Sequence, residues 1–335
     1  MTGAVRRLSA ALVIVGMLAF ILASCKTPER KSRVTYDYFD TGATLYSYSG
    51  DKDEVFDANF RAFETELRLC HELFDIYNEY DGINNAATVN ENAGKSPVRV
   101  DGRLIDLLLF SKEMHQKTGG AVNVAMGAVL GIWHACREAR AGVPTDEELS
   151  LAAEHCDIDD VIIDEAASTV YLADPKMSLD LGAVAKGYAI DRAAAVLRAR
   201  GAVSYAIDVG GNLYAIGAKH DGSAFKTGIE SPDDGDYPAY IDVRDGSVAT
   251  SGDYQRFYTV GGVSYHHIID PVTLYPIYLH RSVSVYSPSA ALSDALSTAL
   301  FNLDREAGET MIRASFPEVR EVIYIGDYGV LRFSQ

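Results

Sequence analysis

Apolar side chains recur at Phe56, Phe60, Phe63, Leu67, Cys70 and Phe74, three or four residues apart, so Asp51–Phe74 reads as one long amphipathic helix with Cys70 in its core stripe. Asp101–Lys117 reads as a second helix. Thr145, followed three residues later by Glu148 and preceded by Pro144, makes a capping box that opens a third. Further helices are predicted over Ala183–Arg200, Ala290–Leu303 and Arg305–Ala314. Alternating apolar and polar positions predict two short strands within Val34–Ser49 and a hairpin from Val161–Asp164 and Thr169–Ala173. A strand-rich stretch follows: Ser204–Val209, Leu213–Ala218, Tyr240–Arg244, Arg256–Val260, Ser264–Ile269 and Ser282–Tyr286, with Glu321–Ile325 and Val330–Phe333 closing the chain. Helices and strands mix without regular βαβ alternation. The expected fold is α+β, one domain over 34–335 with a mixed, largely antiparallel sheet and packed helices. No G-x-G-x-x-G follows a strand, which argues against a doubly wound dinucleotide fold.

At 48% hydrophobic residues the chain of 335 can build a real core. Its start changes the picture of where that core resides. Arg6 and Arg7 precede an apolar run, Leu8–Leu22, too short to span a bilayer comfortably, and Leu22-Ala23-Ser24-Cys25 matches a bacterial lipobox. Residues 1–24 are thus expected to be a signal peptide and Cys25 a lipidated N-terminus. Residues 25–33 would tether the body to a membrane on the extracytoplasmic side of the bacterial cell envelope. An uncleaved membrane anchor would place the body in the same compartment. Loss of 1–24 removes two arginines and no acids, taking the formal charge from −17 to −19. So acidic a body is not a nucleic-acid binder, and any anionic ligand needs a local cation. Cys70, Cys136 and Cys156 remain, with no CxxC spacing; a Cys136–Cys156 bridge is left open.

Candidate chemistry concentrates in the C-terminal half. In SLDLGAVAKGYAID, Asp180-Leu181-Gly182 reads as the end of a buried strand and a tight turn, and Ala183 onward as a helix with Lys186 in its first turn. A helix N-terminus with a lysine suits an anion, while Gly182 and Gly187 permit close backbone approach. Asp180 would repel a bare phosphate, which implies a bridging cation or hydrogen bonds to a nucleotide. Asp294 and Thr298 stand one helical turn apart, opposite an apolar stripe, so both can offer oxygen to a hard cation or form a solvated face. His266 and His267 end a strand before the Asp270-Pro271 turn and are candidate bases or backbone-satisfied histidines. Gly210-Gly211-Asn212 is a hairpin turn or a phosphate nest. Thr250-Ser251-Gly252, with Arg256 nearby, is a polar loop in which an arginine could pair with phosphate. Tyr77 reads as a packing residue, Asn85 and Asn90 as turn formers, and Gly119–Trp133 as an apolar core run.

Five of these segments, SLDLGAVAKGYAID, DVGGNLYAIG, ATSGDYQRFY, HHIIDPVTLYP and SDALSTALF, stand in the order and rough spacing of the ApbE family, the FAD:protein FMN transferases. The resemblance spans nearly all of the chain beyond the leader. It implies an ApbE-like domain that binds FAD as substrate and Mg²⁺ through Asp294, Thr298 and the backbone carbonyl of Ala183. It selects His267 over His266 as the base. It places Tyr77, Ala121, Val122, Asn123 and Lys186 against the flavin nucleotide, with Val122 and Asn123 replacing the pair usual in the family. Thr41, Asp180, Gly210, Gly211, Ser251, Arg256 and Ile268 join them. Leu274 stands where the family has Gly. The implied reaction moves FMN from FAD onto a Ser or Thr hydroxyl of an exported or membrane redox flavoprotein, releasing AMP.

Two other classes share some of these features. A lipoprotein that stores FAD, or hydrolyses it to FMN and AMP, would use the same metal pair. A solute-binding lipoprotein unrelated to flavin shares the lipobox but leaves Asp294, Thr298 and Lys186 unexplained.

Overall fold

The computed structural model describes residues 29–335, so the signal peptide and Cys25 assignments lie outside the described residues. A hairpin of β1 (Lys31–Tyr38) and β2 (Thr41–Ser47) leads into α1 (Asp53–Phe74). β1 thereby takes in Lys31–Arg33, which the sequence suggested belonged to the tether. Next come α2 (Ala86–Glu91), β3 (Val98–Arg99), α3 (Gly102–Lys117), α4 (Gly127–Ala139) and α5 (Asp146–Ala153). β4 (Val161–Asp164) and β5 (Thr169–Leu172) precede α6 (Ala185–Ala199). The strand-rich part holds β6 (Ser204–Val209), β7 (Asn212–Gly217), β8 (Phe225–Ile229), β9 (Ala239–Val243), β10 (Gly246–Gly252), β11 (Phe257–Val260), β12 (Val263–His266) and β13 (Ser282–Ser287). The chain closes with α7 (Ala290–Phe301), α8 (Arg305–Ser315), β14 (Glu321–Gly326) and β15 (Gly329–Ser334).

Eight strands form one sheet in the order β1-β2-β6-β7-β10-β13-β14-β15, and every ladder in it is antiparallel. The α+β expectation holds. Alternation within each strand sorts side chains between two cores. Ile207, Val209, Val283, Val285, Val322 and Tyr324 face α1, α6 and α7 in the main core. Ala206, Ala215, Val248, Tyr286, Ile323 and Ile325 meet the β8–β9 hairpin on the other face. With α7 packed on one face and that hairpin's cluster reaching Tyr286 on the other, all six residues of β13, S-V-S-V-Y-S, are buried although their alternation suggests a wet face. A third cluster joins Val129 and Trp133 of α4 with Leu149 of α5 and Tyr258 of β11.

α1 buries the stripe read from sequence, Cys70 included, and burial pushes the Cys70 thiol up to about 12. Each large apolar side chain so buried contributes about 1.5–3 kcal/mol. Buried Glu66 on α1 accepts from Arg103 of α3 at 3.2 Å and Arg192 of α6 at 2.9 Å, tying three helices together. Cys136 and Cys156 are both free thiols.

Several local expectations change. Asp180–Gly182 is not the end of a sheet strand: nearby, Ser178 makes only an isolated bridge to Met126. The segment is held by Asp180 N–H donating to Val124 O at 2.8 Å and by the Asn90 amide, whose Oδ1 accepts from Leu179 N–H at 2.7 Å and whose Nδ2 donates to Leu179 O at 3.1 Å. Asn90 is therefore a helical residue that pins this segment, not a turn former. Asn85 caps α2 in a capping box with Thr88. β11 starts after Arg256 and β12 ends at His266, so both predicted strands were too long. The run Gly119–Trp133 holds the start of α4, an element that its apolar composition concealed.

Candidate active site

A cleft of about 590 Å³ opens where the loop after α1, the start of α6, α4, the β6–β7 turn and the β10–β11 loop converge. Every predicted site residue in the described chain except Gly211 lines it. Val209 pairs with Asn212, so Gly210 and Gly211 form a two-residue hairpin turn with φ of +58° and +88°. A Cβ on Gly210 would lie 2.8 Å from Thr41 Oγ1, which fixes glycine there. Gly210 N–H donates to Gly42 O and Gly211 N–H to Asp208 Oδ1, each at 3.0 Å. Both amides are committed within the protein, so the turn is not a phosphate nest.

α6 begins two residues later than expected, at Ala185, and no side chain of its own caps it. The cap comes from α7. Gly187 N–H donates to Asp294 Oδ2 at 2.9 Å, Asn212 Nδ2 donates to Asp294 Oδ1 at 2.8 Å, and Lys186 Nζ lies 3.7 Å from the same oxygen. The anion expected at this helix N-terminus is thus partly supplied by the protein itself. In an unbroken helix the Gly187 amide would bond the carbonyl of Ala183. With that amide diverted to Asp294, no backbone or side-chain donor among the described residues reaches Ala183 O.

α7 does not present Asp294 and Thr298 on a solvated face. Of its residues only Thr298 is less than fully buried, because α6 covers one side and β10 and β13 another. Asp191, on α6, fixes the start of α7: its carboxylate accepts from Ser289 Oγ at 2.6 Å, Ala290 N–H at 2.7 Å and Ala291 N–H at 3.0 Å. Thr250-Ser251-Gly252 is the paired end of β10 rather than a loop, and Ser251 Oγ meets Ser297 Oγ at 2.8 Å and Thr298 Oγ1 at 3.2 Å, joining that strand to the same helix. Asp294 carboxylate, Thr298 hydroxyl and the donor-less Ala183 carbonyl make an all-oxygen set suited to a hard divalent cation. These residues fit the Mg²⁺ expected from sequence.

The two adjacent histidines separate by environment. His266 is buried, its Nε2 on Ile277 O at 2.9 Å and its Nδ1 accepting from Ile268 N–H at 3.3 Å. It is the backbone-satisfied histidine that the sequence allowed. His267 makes no hydrogen bond, and its Nδ1 is enclosed without a partner. Burial, reinforced by Arg256 and Lys186, lowers its pKa to about 3, so the ring is neutral. Asp180, half-buried, has its carboxyl pushed up by burial, against the hydrogen bond from Gly182 N–H. Asp270 accepts from Thr273 N–H at 2.8 Å and orients the following turn, in which Leu274 takes φ +64°.

Tyr77 is exposed at the cleft and stacks on His134, ring centroids 5.1 Å apart and 29° between planes. Its loop is set by Asp75, whose Oδ1 accepts from Tyr77 N–H at 2.7 Å. Ala121 lines the wall beside fully buried Val122. Asn123 is committed to backbone, donating to Cys156 O at 2.9 Å and accepting from Ala125 N–H at 2.9 Å. Sequence reasoning missed Asn212, Asp191, His134 and Arg137. For the last two a signal existed: Val129 and Trp133 mark a helical stripe, and His134 and Arg137 stand three apart beside it.

Residues 39–323 match the model of the ApbE family. A curated relative from Treponema pallidum (strain Nichols), called FAD:protein FMN transferase, is 40% identical over 260 residues, covering 73% of this chain and 71% of the relative. Another of that name, from Vibrio cholerae, is 30% identical over 312 residues and 92% of each chain. Among solved structures, the ApbE protein of Thermotoga maritima superposes with a TM-score of 0.81 at 26% identity, covering 92% of this chain and 97% of that one. The flavin transferase ApbE from Vibrio cholerae does so at 0.78 and 26%, with the same coverage.

Proposed function

The chain belongs to the ApbE family, and we propose that it transfers FMN from FAD to a Ser or Thr hydroxyl of an exported or membrane redox protein, releasing AMP. The observation that carries this reading is the diversion of the Gly187 amide to Asp294, which leaves an acceptor carbonyl at Ala183 in the same cleft as Thr298 and His267. Asp294, Thr298 and Ala183 O would hold Mg²⁺, which when bound neutralises charge on a diphosphate. Lys186 and Arg256 add the local positive field that a strongly acidic chain needs to admit such a substrate.

His267 takes the proton of the acceptor hydroxyl. The hydroxyl oxygen then bonds to the FMN-side phosphorus, the bond from that phosphorus to the bridging oxygen breaks, and AMP leaves with its electrons. The flavin remains as a phosphoester. In the free protein Arg256 and Lys186 help keep His267 deprotonated. A diphosphate offsets those charges, so the ring's proton affinity rises as the cleft fills.

Support for the envelope location comes from the lipobox at Leu22–Cys25. The test is mass spectrometry of a Ser/Thr-bearing acceptor incubated with the protein, FAD and Mg²⁺. A covalent FMN adduct with stoichiometric AMP is expected. AMP and FMN without an adduct would instead identify an FAD hydrolase.

A further inference from the structure

Arg137, in the last turn of α4, lines the cleft half-buried and has no carboxylate within 4.0 Å among the described residues. With no carboxylate in contact, most of the Arg137 fork stays free for an anionic ligand in the cleft. Its one side-chain bond is to His134: Arg137 Nη2 lies 2.8 Å from His134 Nδ1. Arginine has no acceptor, so Nδ1 accepts and the His134 proton sits on Nε2. The pair thus offers only donors beyond their shared bond. His134 is held in turn by the stack against Tyr77 at 5.1 Å. Arg137 is also among the cations that help lower the pKa of His267 and that oppose the rise burial imposes on Asp180, which places its charge near both.

We propose that Arg137, steadied by His134, is a further phosphate-binding residue beside Lys186 and Arg256, one that holds the dinucleotide's diphosphate from the α4 side of the cleft. This rests on FAD being the substrate. An arginine fork suits two phosphate oxygens, and its position on a helix, rather than in the β10–β11 loop like Arg256, makes it an orienting contact.

The test is binding of FAD and of riboflavin, which lacks phosphate, to full-length protein and to Arg137→Gln and Arg137→Lys, followed from 50 to 500 mM NaCl. Thermal melting of each variant reports folding, and the Lys variant keeps the charge if Gln proves unstable. In Arg137→Gln the Kd for FAD is expected to rise about tenfold, with a shallower salt dependence, while riboflavin stays within about twofold. Arg137→Lys recovers the salt dependence and part of the affinity. Equal loss for FAD and riboflavin, or FAD binding unchanged, overturns the assignment. Unchanged FAD binding with a raised KM for the acceptor protein also overturns it, and would assign Arg137 to protein docking. If wild-type protein binds no FAD, the flavin reading itself fails, an outcome distinct from all of these.

Discussion

The backbone amide of Gly187 donates to the carboxylate of Asp294 at 2.9 Å, joining two helices whose residues stand 107 positions apart. That bond needs the helices in contact. A Cβ on Gly187 would lie 2.3 Å from Ala290 O and 2.7 Å from Asp294 Cβ. Gly187→Ala should therefore push α7 off α6, costing about 1–3 kcal/mol of stability and weakening Mg²⁺-dependent turnover together. Thermal melting and a Mg²⁺ titration of AMP release check it; native values for both would show that the contact is not required.

Asp294→Ala removes the cap on α6 and one hard ligand at once. Turnover should fall to background while FAD affinity falls less, because the walls of the cleft remain. AMP release at the wild-type rate in EDTA would contradict the metal assignment.

His267 is neutral down to about pH 3, so kcat/KM for FAD should show no inflection near 6.5 belonging to this residue. His267→Ala should keep FAD binding and lose transfer by roughly 10²–10⁴-fold. Stability carries the same signature. A histidine held below its ordinary value contributes full stability above pH 6.5, and loses it as pH falls toward 3 because the unfolded chain takes the proton first. His266 and His280 are lowered in the same direction by burial. The melting temperature should drop between pH 7.5 and 5, less steeply in His267→Gln; an identical slope would count against the shift.

Leu274 sits at φ +64°, and Trp133 Nε1 donates to its carbonyl at 2.9 Å. Leu274→Ile, β-branched in left-handed backbone, should lower stability by about 1–3 kcal/mol, whereas Leu274→Gly trades lost packing against relieved strain and stays near wild type. Urea midpoints decide between them.

Cys25→Ser should abolish incorporation of labelled palmitate and leave flavin transfer by the purified body intact. Label retained by the variant would dismiss the lipobox.

Local order was legible without coordinates wherever one element's own pattern carried it. The α1 stripe, the Thr145–Glu148 capping box and the two-residue turn at Gly210-Gly211 depend on neighbours a few positions away, and each formed as its sequence implies. The ordered motifs likewise brought Asp294, Thr298, Lys186 and His267 to one cleft. What sequence could not decide was which groups satisfy which. Spacing alone left Asp294 and Thr298 open to a solvated face, because helical spacing reports a face, not what covers it; α6, β10 and β13 bury every residue of α7 except Thr298. His266 and His267 are identical in type and adjacent, yet one is bonded at both nitrogens and the other at none. Gly187 could satisfy its amide within its own helix, and spends it on a carboxylate brought near only when the helices pack. Periodicity is a property of one segment, whereas desolvation and hydrogen-bond partners are properties of contacts between segments, so the chemistry of this cleft was settled by the tertiary structure.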